Sequence, residues 1–154
     1  MVIKNLLVFL HVAGVVVWVG GMFFAHQYLR PVAAQQLPPP QRLPLWVGVF
    51  ARFFPWVWVA VALILASGLA MMLQVGFRHA PLNWHLMFGL GLAMMLIFAH
   101  VFFAPFARLK RHAAQQQWQE AGAALNQIRQ MVGINLILGF ITIAVATLGR
   151  VLVS

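Results

Sequence analysis

The sequence predicts an all-α integral membrane protein, a four-helix bundle with both termini on the same side of the bilayer. Three observations carry that expectation. The 154-residue chain is 64% hydrophobic and 7% charged, with mean hydropathy +0.93; a soluble domain is typically about 45–50% apolar and about 25% charged. Its apolar residues fall into four runs, each able to cross about 30 Å of hydrocarbon. Polar and basic residues gather between the runs. The length fits a single transmembrane domain over residues 1–154.

The first helix is expected from about Ile3 to Tyr28, stopping near Arg30-Pro31 because proline cannot continue the hydrogen-bond ladder. Its apolar run, Leu6 to Ala25, is too long for a typical signal-peptide core and shows no small-residue cleavage site, so it reads as a span. The link from Pro31 to Pro44 contains Pro38-Pro39-Pro40 and is expected to be extended. A second helix covers about Trp46 to Val75, with Pro55 either kinking it or marking an interfacial turn that contains Arg52. A short link with Gly76, Arg78 and Pro81 leads to the third helix, about Leu82 to Ala107. Arg108, Lys110 and Arg111 then open a polar stretch over 108–130, whose Ala, Gln and Glu content from His112 to Gln130 favours an extramembrane helix. The fourth helix is expected from about Met131 to Val153.

Ten Lys and Arg stand against the single acid Glu120, a net charge of +9. These cations lie at span ends and in links, where they meet anionic lipid headgroups, and nucleic-acid binding is not implied. Arg30, Arg42, Arg52, Arg108, Lys110, Arg111 and Arg129 fall with the two long links; Lys4, Arg78 and Arg150 fall on the other side. By the positive-inside rule the long links are cytoplasmic and both termini periplasmic, in the inner membrane of a bacterium. Most of the six tryptophans fall near expected span ends, where aromatic residues form interfacial belts. The absence of Cys excludes disulfides, thiolate metal sites and a cysteine nucleophile.

The chemistry is concentrated in histidine. His11 and His26 lie in the first span, His85 and His100 in the third, with the same internal spacing. Fifteen residues of α-helix rise about 22 Å and turn through a net angle of about 60°. Spans one and three run in the same direction, so His11 shares the outer half of the bundle with His85, and His26 the inner half with His100. An ionisable residue inside a membrane is costly and is a functional hypothesis by default. Neutral imidazole binds haem iron, copper and zinc. Gly14, Gly20 and Gly21 lie between the first pair and Gly89 and Gly91 between the second, leaving room for a flat macrocycle. Arg30, Arg52, Arg78 or Arg108 would bond its propionates. The expected site is therefore one or two haem b groups, His11 with His85 and His26 with His100. The layout resembles in geometry the two-haem cytochrome b of respiratory quinol complexes.

Other side chains offer less. Met71-Met72 and Met94-Met95 are soft enough for Cu(I), but adjacent helical residues diverge by about 100°, which favours core packing. Glu120 has no second carboxylate for acid–base work. Ser67, Thr142 and Thr147 lack a base and are expected to bond backbone or a neighbouring helix. Asn135, near the start of the fourth span, is a candidate to bond a ligand or histidine, or to clamp two helices. His79 and His112 lie in polar links and are expected to be solvated.

The stretch His11-Val-Ala-Gly-Val-Val-Val-Trp18-Val-Gly-Gly21 resembles the first-span pattern of the CopD-type copper resistance membrane domain. Arg52-Phe53, Ser67-Gly68-Leu69, Asn135 and Gly139 suit that family too, so the resemblance covers most of the chain. It implies copper handling at the inner membrane. The first span is also similar to that of HemJ-type protoporphyrinogen oxidases, which are associated with haem b and use a histidine near the position of His11. Those enzymes are expected to carry a lysine in a later span, and none lies in spans two to four here.

Three functions follow as expectations: transmembrane electron transfer by a b-type dihaem protein, with quinone or a redox partner protein; copper binding or transport through some of the same histidines; and porphyrinogen oxidation. The small-residue face of Gly133 and Gly139 suits a homodimer.

Overall fold

The computed structural model describes residues 2–152, with side chains through Gly149; the expected end of span four at Val153 and the Arg150 side chain lie outside the described residues. The helices are α1 (Val2–Phe24), a π-helical turn (Ala25–Leu29), α2 (Arg30–Gln36), α3 (Pro39–Val75), α4 (Leu82–Phe103), α5 (Pro105–Ala114) and α6 (Trp118–Leu152). They make four apolar rods, Val2–Gln36, Pro39–Val75, Leu82–Ala114 and Trp118–Gly149. The protein is an all-α, multi-pass membrane four-helix bundle. Four crossings place the two ends of the chain on one side.

The rods are longer than a bilayer is thick. Thirty-seven residues of α3 rise about 55 Å, against about 30 Å of hydrocarbon. The excess lies at the long links, where helix was expected over 108–130 but not over 31–44. The first rod does not stop at Arg30-Pro31, and residues 31–44 are not extended. Instead the Arg30 amide donates to the Ala25 carbonyl, a wide i→i+5 turn. That turn leads past Pro31, which falls in the first turn of α2, where a missing N–H has no helical partner to lose. Pro39 and Pro40 likewise open α3, and Pro44 and Pro55 are carried inside it. Only Leu37 and Pro38 separate α2 from α3. At the other link, the polar stretch divides between α5 and the beginning of α6, which continues unbroken into the fourth span.

Helix α1 packs chiefly on α3, and α4 and α5 on α6, giving two antiparallel pairs. Glycines set how closely they approach. A Cβ at Gly14 would lie 2.8 Å from Ile64, one at Gly21 would collide with the Phe53 ring, and one at Gly139 would lie 3.2 Å from Val19. Between the pairs runs an aromatic core. Phe50 and Phe54 stack at 4.9 Å, and Phe54 meets Phe98 at 5.5 Å and Phe106 at 4.9 Å. Trp18 and Trp46 are buried in this core, not placed at an interfacial belt; Trp56 is well exposed. Gly76 closes α3 at φ +84°, a conformation that favours glycine, and its amide donates to the Met72 carbonyl.

Candidate functional site

His11 is half-buried on the face of α1 that also carries buried Gly14 and Trp18. Its ring lies against Gly68 of α3, where a Cβ would stand 3.3 Å from Cε1, and its Nδ1 is 3.0 Å from Ser67 Oγ. The tautomer follows from a count of protons. The buried Ser67 hydroxyl, 2% exposed, donates its one proton to the Leu63 carbonyl one turn earlier. Oγ must then accept, so His11 Nδ1–H donates to it, and the lone pair falls on Nε2. An imidazole held in this way by its other nitrogen is the usual condition of a metal-binding histidine. Met71 and Met72 lie one helical turn beyond Ser67 and Gly68 on α3, the first half-buried and the second buried.

His26 sits in the π-helical turn and faces α6, where a Cβ on Gly133 would stand 3.2 Å from its Nε2. Its Nδ1 is buried without a hydrogen-bond partner. The ring lines a cavity of about 290 Å³ that also takes in Arg30, Arg42 and Arg129. Asn135 is 3% exposed and clamps α6 to α4, Nδ2 donating to the Met94 carbonyl at 3.2 Å. Its Oδ1 has no partner. The residue borders a separate space of about 20 Å³ among Trp18, Met22 and Met131, room for about one water molecule.

His85 and His100 are placed otherwise. Both are exposed and stand off the stripe of α4 that buries Asn83, Met94, Phe98 and Val101. Each lies three residues from an end of α4, about 4.5 Å inside it. Their fifteen-residue spacing is thus the length of that helix less one turn at each end. The expected facing pairs, His11 with His85 and His26 with His100, do not form within this chain. Nor does the expected macrocycle slot: Ile64 and Phe53 fill the space beside Gly14 and Gly21, while Gly89 has no neighbour within 4 Å and is exposed. Arg52 is exposed and bonds the Gly48 carbonyl of its own helix, and Arg78 is exposed at the opposite end of α3.

Among the described residues, no three His, Asp or Glu side chains come together as a metal site. A single imidazole such as His11 leaves room for a softer ion, since imidazole and thioether are both copper ligands. Met94 is buried in the core and Met95 packs beside it, as expected of structural methionine. His112 bonds Gln117 at 2.6 Å. Sequence reasoning placed Ser67 as a backbone or helix-bonding group and missed that it orients His11. It also missed that Arg30, Arg42 and Arg129 line one cavity.

The family model described as copper resistance protein D matches residues 47–148, more than half of the chain. The match takes in Arg52-Phe53, Ser67-Gly68-Leu69, Asn135 and Gly139; α1, with His11 and His26, precedes it. No curated protein and no solved structure matches the chain.

Proposed function

We propose a copper-binding role, proceeding from the fact that the chain belongs to the copper resistance protein D family. In this reading the protein spans the bacterial cytoplasmic membrane with its termini periplasmic, and takes up Cu(I) in the outer half of the bundle through His11 Nε2. The observation that carries the reading is the His11–Ser67–Leu63 chain of hydrogen bonds, which leaves a ligand-ready nitrogen on the ring that packs against α3 one turn before Met71-Met72 in sequence. Copper is cargo here. Ser67 orients the ring and holds its proton on Nδ1, and the thioethers supply soft donors that favour the monovalent ion. His26 is assigned no copper role, because cationic guanidiniums share its cavity and oppose a metal cation.

Anaerobic titration of the purified protein with Cu(I) against a competing chelator, together with its absorption spectrum, tests the reading. The expected result is a protein without a Soret band that binds about one copper per chain. A strong Soret band with sharp α and β bands on reduction, and no retained copper, would return haem b to the leading place.

A further inference from the structure

At the end of the bundle away from the termini, the π-helical turn, α2 and the early turns of α3 and α6 border an open cavity of about 290 Å³. That size lies at the lower edge of small-molecule pockets, roughly 300–1,000 Å³. Its polar wall is cationic or neutral: Arg30, Arg42 and Arg129, with Asn126 and half-buried His26, whose buried Nδ1 has no partner. Glu120, the single carboxylate side chain of the chain, is not part of the lining. Arg42 makes only a long bond of 3.4 Å to the Ala34 carbonyl, and most of its donors are free. The rest of the wall, including Trp46, is apolar.

Arg30 and Arg42 are half-buried and Arg129 is exposed, and three guanidiniums lining one space repel each other unless an anion from outside lies between them. The bidentate fork of arginine matches tetrahedral oxyanions, above all phosphate. We propose that this cavity binds a phosphoryl anion, with Arg30, Arg42 and Arg129 as its ligands. The apolar wall and the position at the membrane face suit a phospholipid headgroup with part of its glycerol; free phosphate has the same chemistry. This site stands apart from the copper reading, since neither depends on the other's residues.

The test uses the full-length protein in uncharged detergent. Native mass spectrometry measures retention of phosphatidylglycerol against phosphatidylcholine, and calorimetric titration measures inorganic phosphate. The variant R30Q/R129Q is compared with K110Q/R111Q, which removes the same charge from exposed positions of α5 outside the cavity. Wild type and K110Q/R111Q should prefer phosphatidylglycerol, and R30Q/R129Q should lose about tenfold or more of that preference, since charge-assisted hydrogen bonds to phosphate are the stronger class. Should R30Q/R129Q fail to fold, R42Q should show the same loss on a smaller scale. Binding of inorganic phosphate alone, abolished in the same variants, supports the site with free phosphate as its source. Equal phosphatidylglycerol retention by wild type, cavity variants and control, with no phosphate binding, overturns it.

Discussion

Ser67 has a single hydroxyl proton, and the Leu63 carbonyl takes it; the state of a histidine 56 residues earlier follows from that. Replacing Ser67 by Ala removes the acceptor for His11 Nδ1–H and frees the ring to change tautomer. The expected outcome is Cu(I) affinity lower by about 10–100-fold, the usual cost of losing the group that orients a metal ligand, with stability lower by only about 1 kcal/mol. Competition titration and chemical unfolding in detergent read the two effects separately. The glycines of α1 give a second prediction at this scale. Gly14→Ala places a Cβ 2.8 Å from Ile64 and 3.1 Å from the Ala60 carbonyl, and should cost about 1–3 kcal/mol by overpacking. Gly20→Ala meets nothing within 4 Å and should be neutral or stabilising by up to about 1 kcal/mol, because alanine is the better helix former. Unfolding midpoints of the two variants check the contrast. His11 was singled out from the sequence because an ionisable side chain amid apolar residues is expensive wherever it points. Its partner was not, since periodicity carries no information on which residue of another helix lies opposite.

The prolines show where helix-level reasoning failed. A proline ends a helix only if its missing N–H and its ring cannot be accommodated. Here the wide turn at Ala25–Leu29 meets that condition at Pro31, and Pro39 and Pro40 occupy a first turn that needs no helical donors. Pro55 differs, lying inside α3 on an exposed face. Pro55→Ala should restore a hydrogen bond to the Ala51 carbonyl and stabilise the fold by up to about 3 kcal/mol, read as a rise in thermal unfolding temperature; an unchanged or lower temperature would show that the proline is built into the native packing. The two histidines of α4 teach the same lesson about elements. Equal spacing in α1 and α4 suggested equal roles, but the depth at which each residue sits depends on where its helix starts. His11 lies nine residues inside α1 and His85 only three inside α4.

For the molecule as a whole, the number of spans and the shared side of the termini were legible because hydrocarbon imposes a length on every crossing. The pairing of α1 with α3 and of α4 with α6, and the cationic cavity between the extended ends, were not, since they arise from packing between distant segments. The proposed orientation has a direct check in a chain without cysteine. Single cysteines at exposed Gln36 and Gln119, and at exposed Arg78, lie at opposite ends of the rods. A membrane-impermeant maleimide added to intact bacterial cells with a permeabilised outer membrane should label only the cysteine at position 78, and labelling of the other two instead would reverse the topology. The central claim is that copper is held by the inward histidine of α1. Anaerobic Cu(I) titration of wild type, His11→Ala and His85→Ala tests it most directly: loss of the bound copper in His11→Ala with full binding in His85→Ala is the predicted result, and undiminished copper binding in His11→Ala would contradict it.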